Sequence, residues 1–178
     1  MDSPAHNREP SGIEPDRARK TLVIGLGSPI LRDDAIGLHV ARALAKRLPA
    51  DRFSVLEAGA AGLRLLPLLD GWRAVIFVDA LFPPGPRATP PQPGRLRRLS
   101  IDSLGEAVTL SNSHEAGLAE TLILGRRLGM AMPDEVIVYG VEVEDPFTFD
   151  DSLSPSLAAQ VEALVETIAR ECAGPDAV

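Results

Sequence analysis

Adjacent carboxylates, Asp33 and Asp34, lie in a turn between an apolar run, Leu22-Val23-Ile24, and a segment in which Ile36, Val40, Ala43, Leu44 and Leu48 recur at helical spacing. Acids at the first turn of a helix are stabilised in their charged form by the positive end of the helix dipole, which suits a cation. The same pair also suits plain capping of that helix, and an Asp-Asp sequence alone does not decide between the two. Other acids repeat the placement. Glu57 ends the run Phe53-Ser54-Val55-Leu56, Asp79 directly follows the apolar run Ala74–Val78, and Glu142 ends the run Val136–Val141. In an open α/β sheet ligands collect at the carboxyl ends of the strands, so acids there are placed for chemistry. His114 opens a later helical segment. A lone histidine at a helix start is commonly structural, and its interest rises because three acids already end neighbouring strands.

The elements that must position these groups follow from periodicity. Leu22–Ile24, flanked by Gly25 and Gly27, reads as a short buried strand, and the helix after it carries Arg42, Lys46 and Arg47 on its outer side. A second strand over 53–56 leads through the small-residue turn 58–62 into a short helix bearing Leu63, Leu65, Leu66 and Leu69. After the third strand, 74–78, no helical pattern follows. The proline-rich stretch from Phe82 to Gly94 must be a loop, either substrate-facing or an ordinary connection. Arg95–Leu99 reads as an edge strand with exposed arginines. Ser111 or Ser113 is placed to cap the helix that His114-Glu115 opens, which continues through Leu118, Ala119, Leu122 and Ile123. Near the end, Ser154-Pro155 reads as a cap and a proline at the first helical position, ahead of one unbroken stripe of Leu157, Val161, Leu164, Val165, Ile168 and Cys172. Cys172 is therefore a core residue rather than a nucleophile. Strands alternating with helices predict an α/β fold, with a mostly parallel twisted sheet of about five strands and helices on both faces.

At 178 residues and a formal net charge of −7, the chain fits one soluble domain. Residues 1–19, with Pro4, Pro10, Gly12 and Pro15 among charges, read as a flexible N-terminal tail in which His6 is incidental, and residues 20–173 as a single α/β domain. The acidity disfavours nucleic acid as a partner. No apolar run is long enough to span a membrane, the first residues do not form a signal peptide, and one cysteine excludes both a disulfide framework and a multi-thiolate zinc site. A cytoplasmic monomer is the expectation. No organic cofactor is expected: Ile30 stands where a dinucleotide fingerprint needs its third glycine, and there is no Gly-Lys-Ser/Thr run for a P-loop.

The run Gly25-Leu26-Gly27-Ser28-Pro29-Ile30-Leu31-Arg32-Asp33-Asp34-Ala35-Ile36-Gly37 resembles the signature of the nickel-iron hydrogenase maturation endopeptidases. Further matches follow in the family's order: Glu57-Ala58-Gly59-Ala60-Ala61-Gly62, Val78-Asp79-Ala80, Ser113-His114-Glu115 and Leu153-Ser154-Pro155. Two departures stand out, Ser28 where an asparagine is usual and Glu57 where an aspartate is usual. The resemblance implies a sheet with helices on both faces and removal of a C-terminal peptide from a hydrogenase large-subunit precursor after nickel insertion. It also implies that Asp34, Asp79 and His114 are the metal and catalytic residues.

Two carboxylates and an imidazole suit a borderline divalent ion such as nickel or zinc and leave a coordination position open; the resemblance implies that the ion is nickel, supplied by the substrate. On this reading the ion polarises the scissile carbonyl or a water. Glu57 is a candidate base or supporting carboxylate. His39, in the first helix, reads as structural. Two other classes stay open: a nickel-binding accessory protein that cuts nothing, and a small-molecule hydrolase on a similar α/β scaffold.

Overall fold

Four apolar stretches and one arginine-bearing stretch pair into a single sheet in the computed structural model, which describes residues 17–59, 62–82, 91–100 and 115–174. The strands are β1 (Thr21–Leu26), β2 (Phe53–Ala58), β3 (Ala74–Leu81), β4 (Leu96–Ser100) and β5 (Glu135–Glu142), in the order β2-β1-β3-β5-β4. β2, β1, β3 and β5 run parallel; β4 lies antiparallel to β5 at the edge. Every residue of β1 and β3 is buried, as expected of central parallel strands covered on both faces. The α/β expectation, with a mostly parallel five-stranded sheet, is met.

One face of the sheet packs against α1 (Ile36–Leu44), α4 (Pro155–Ala158) and α5 (Val161–Ala173). Its core joins Val23, Ile76 and Val78 to Ile36, Val40, Leu44, Leu157, Leu164, Val165, Ile168 and Cys172. The other face packs against α2 (Leu66–Leu69) and α3 (Glu115–Arg127), with Leu22, Ile24, Val75 and Phe77 meeting Leu69, Trp72, Leu118, Leu122 and Met132. Burial of these side chains, roughly 1.5–3 kcal/mol each, is the main force holding the layers together.

Several local expectations change. The helical stripe near the C-terminus is not continuous: the chain turns at Ala159–Gln160 between α4 and α5, so Leu157 belongs to a separate short helix. Ser154 precedes Pro155 but makes no capping hydrogen bond, because its hydroxyl is used elsewhere. α1 stops at Leu44, and residues 45–48 are a turn. The arginines of β4 are exposed but not merely solvated: Arg97 pairs with the buried Glu142 at 2.7 Å. Arg17 donates to the Asp70 carbonyl at 3.1 Å and stacks over Trp72, tying the N-terminal side of the domain down. The cap expected from Ser111 or Ser113 lies outside the described residues, as do His6 and the stretch 83–90.

The connection after β1 enters α1 on one face, whereas the chain after β3 goes on to α3 on the other. Loops that diverge from adjacent parallel strands leave a crevice between their carboxyl ends, so the crevice here lies between β1 and β3.

Candidate active site at the carboxyl ends of β1 and β3

Glycine brings the acidic turn into that crevice. Gly27 has φ +138°, a conformation side-chain-bearing residues avoid, and a Cβ there would lie 2.0 Å from the Asp34 carbonyl oxygen. At Gly37 a Cβ would lie 2.2 Å from the Leu26 carbonyl oxygen and 2.3 Å from that of Val78. The first turn of α1 therefore rests, backbone to backbone, on the ends of β1 and β3. Asp34 sits three residues before Gly37, in a single 3-10 turn, Asp33–Ala35.

Neither acid caps a helix. The residues at the capping positions of the 3-10 turn and of α1 are Arg32 and Ala35, without side-chain capping bonds. Asp34 is buried and reaches back across the turn, its Oδ2 accepting the Ser28 backbone N–H at 2.7 Å. The loop bond thus comes from the main chain of Ser28. Asp33 points elsewhere. It accepts the Ser154 N–H at 2.8 Å, the Ser154 hydroxyl at 3.0 Å and the Asp145 N–H at 3.1 Å. Fully buried, it clamps the segment after β5 against the acidic turn.

Asp79 is fully buried inside β3, with its Oδ1 accepting the Ala80 N–H at 2.8 Å. Val78 and Ala80 face the α1 side and Phe77 and Leu81 the α3 side, so strand alternation puts Asp79 on the α3 side. The chain beyond α3 meets the start of β3 through Gly71 N–H to the Ala131 carbonyl and Asp134 N–H to the Arg73 carbonyl. α3 therefore runs antiparallel to β3, and its N-terminus at Glu115 lies toward the crevice. His114, the preceding residue in sequence, is outside the described residues. Asp34 and Asp79 are thus the two members of the expected ligand set that are described, buried at the adjoining ends of β1 and β3. Among the described residues no cluster of three or more metal-capable side chains occurs.

Glu57 lies within β2, in register with Gly25, and gives both oxygens to Arg42 of α1, at 3.0 and 2.6 Å. This exposed pair sits beside half-buried His39, whose pKa is lowered by burial and by Arg42, with Glu57 opposing. Asp34, Gly27, Ser28, Leu31 and Gly59 line a cavity of about 300 Å³ together with Phe147 and Phe149.

The two phenylalanines are the residues that sequence reasoning missed. They lie on the segment clamped by Asp33, which pairs with residues 30–33 through Arg32 N–H to the Thr148 carbonyl, Asp150 N–H to the Ile30 carbonyl and an antiparallel bridge between Leu31 and Phe149. Arg32 adds an ion pair to Asp150 at 2.6 Å and lies 3.7 Å from Asp145. The Ser152 hydroxyl and Arg32 together hold the Asp150 carboxyl far below its ordinary range. The available signal was alternation, Phe147-Thr148-Phe149, a strand-like pattern following the last recognised strand.

The model of the hydrogenase maturation protease family matches residues 38–171. The chain is 29% identical over 152 residues to the hydrogenase 2 maturation protease of Escherichia coli (strain K12), covering 84% of this chain and 88% of that one. It is 28% identical over 163 residues to the hydrogenase expression/formation protein HupD of Rhodobacter capsulatus, covering 87% and 72%. Among solved structures, the hydrogenase maturating endopeptidase HybD from E. coli superposes with a TM-score of 0.68 at 26% identity, over 86% of this chain and 91% of that one. HybD from Thermococcus kodakarensis shares the fold with a TM-score of 0.63 at 24% identity, over 87% and 99%.

Proposed function

The chain belongs to the hydrogenase maturation protease family, and from that membership we propose that it removes the C-terminal extension of a nickel-iron hydrogenase large-subunit precursor once nickel is in place. Asp34 and Asp79 would act with His114, within a peptidase unit spanning residues 20–173. The observation that carries the assignment is the burial of Asp34 and Asp79 at the adjoining carboxyl ends of β1 and β3, with Asp34 opening onto the cavity. Two carboxylates plus an imidazole form a donor set that accepts nickel presented by the substrate. A divalent ion there would polarise a carbonyl or a water. The chain's own part is to orient. Ser28 N–H fixes the Asp34 carboxylate, and the backbone contact at Gly37 fixes its position relative to β3. Glu57, bound by Arg42, is assigned a supporting role on the α1 surface rather than that of the base.

Mass spectrometry of the precursor, incubated with the protein with and without nickel, tests the assignment. Loss of a C-terminal peptide from the nickel-loaded precursor alone is expected. Asp34→Asn, Asp79→Asn and His114→Ala should each abolish that loss while leaving the circular dichroism spectrum unchanged. Normal processing by all three variants would refute the site. Nickel binding without cleavage would support an accessory role, and hydrolysis of small esters alone a small-molecule hydrolase.

A further inference from the structure

Two large exposed apolar side chains, Phe147 and Phe149, at 57% and 79% exposure, line the cavity, and Ile30, at 59%, lies on the turn whose backbone pairs with the same strip. Scattered exposed apolar residues are ordinary, but a group bordering a cavity marks a contact surface. This group is also held in place. Phe147 meets Phe82 edge to face at 5.3 Å, and the strip bearing both phenylalanines is fastened by the bridge to Leu31, by Arg32 and by Asp33. Among the described residues these contacts leave both rings more than half exposed, although a rigid mount costs conformational freedom. A side chain ordered in advance and left exposed is suited to receiving a partner with little further ordering.

Resting on the peptidase reading above, we infer that Phe147 and Phe149 form a specificity shelf for an apolar side chain of the precursor within two or three residues of the scissile bond. The distance limit follows from the cavity. Both rings line the same space of about 300 Å³ that Asp34 lines, room for one or two side chains, and an extended peptide advances only about 3.3 Å per residue. A peptide lying against Asp34 must therefore also lie against the rings. The chemistry of the occupant follows from the surroundings. The rings are apolar, and Glu144, Asp145, Asp150 and Asp151 flank them with Arg32 as the cation bound to the strip, so an acidic side chain would be repelled.

The test measures processing of the nickel-loaded precursor by the parent, by Phe147→Ser/Phe149→Ser, and by Leu128→Ser as an exposed apolar control just past the C-terminal end of α3. The double variant should raise KM roughly tenfold or more with kcat nearly retained, while the control matches the parent. On the substrate side, apolar residues within three positions of the cut are changed singly to Ser and to Asp. One Ser change should raise KM for the parent but add nothing further with the double variant, and the Asp change should be worse than Ser. If the double variant keeps the parental KM while Asp34→Asn is inactive, the shelf is refuted and the peptidase reading stands. If the parent cuts no precursor under any nickel condition, both fall.

Discussion

Replacing Asp33 by asparagine should unfold the clamp beside the site without touching the expected ligands. The aspartate takes three hydrogen bonds from donors in Asp145 and Ser154, and Ser154 is itself buried. An asparagine can keep its oxygen toward the Ser154 N–H. Its amide group then faces the Asp145 N–H, donor against donor, while the Ser154 hydroxyl can turn away toward Ser156, 3.2 Å distant. One charge-assisted bond is lost outright and another weakened, which costs about 2–4 kcal/mol. For a domain of this size each kcal/mol lowers Tm by about 2–4 °C, so a fall of roughly 4–16 °C is expected. Hydrogen exchange should show loss of protection first at Arg32 and Asp150, whose N–H groups bond across the clamp. Processing should persist at low temperature with a raised KM. A Tm within about 1 °C of the parent, with protection at Arg32 and Asp150 unchanged, would refute the assignment of Asp33 as the clamp.

Gly37→Ala should lower stability by about 1–3 kcal/mol or more in urea titrations, because its Cβ would collide with two carbonyl oxygens that belong to strands rather than to movable side chains. With one histidine in the proposed ligand set, the protein should purify largely without metal, and a chelator should leave Tm unchanged; a stoichiometric, chelator-resistant ion would contradict the substrate-supplied nickel reading. Burial pushes the Cys172 thiol up to about 11, so the folded state favours the protonated form. Its contribution to stability should be complete below the ordinary thiol pKa of 9.0 and be lost as pH rises toward 11, and Cys172→Ala should flatten that part of the pH–stability curve.

What the sequence disclosed and what it hid divide along a physical line. Strands β1, β3 and β5 were legible because central parallel strands are apolar throughout, and the acids were legible because they interrupt or end those runs. The position of Asp79 was legible in this way, while the choice of Asp34 and Asp79 as ligands came from the resemblance to the endopeptidase family. The separate role of Asp33 was not legible, since its partners lie 112 and 121 residues away and no local pattern encodes such a bond. Ser154 looked like a cap because it precedes Pro155; a distant carboxylate won its hydroxyl. The break between α4 and α5 was hidden because Leu157 keeps helical spacing with Val161 across it. Gly25 read only as a residue flanking the first strand, whereas it leaves room for the Gly37 carbonyl, and Gly37 in turn leaves room for the carbonyls of Leu26 and Val78.

The late position of α5 bears on how the chain folds as it is synthesised. β3 ends at Leu81 and α5 begins at Val161, so about 80 residues separate the central strands from the helix whose Leu164, Val165, Ile168 and Cys172 complete one face. At roughly 5–20 residues per second, that face waits about 4–16 s with α1 as its main cover. During that interval Val23, Ile76 and Val78 are incompletely shielded, and a nascent chain interrupted before Val161 presents a sticky sheet surface to neighbouring chains and to chaperones. Adding α5 is therefore the step that ends the vulnerable period of biogenesis.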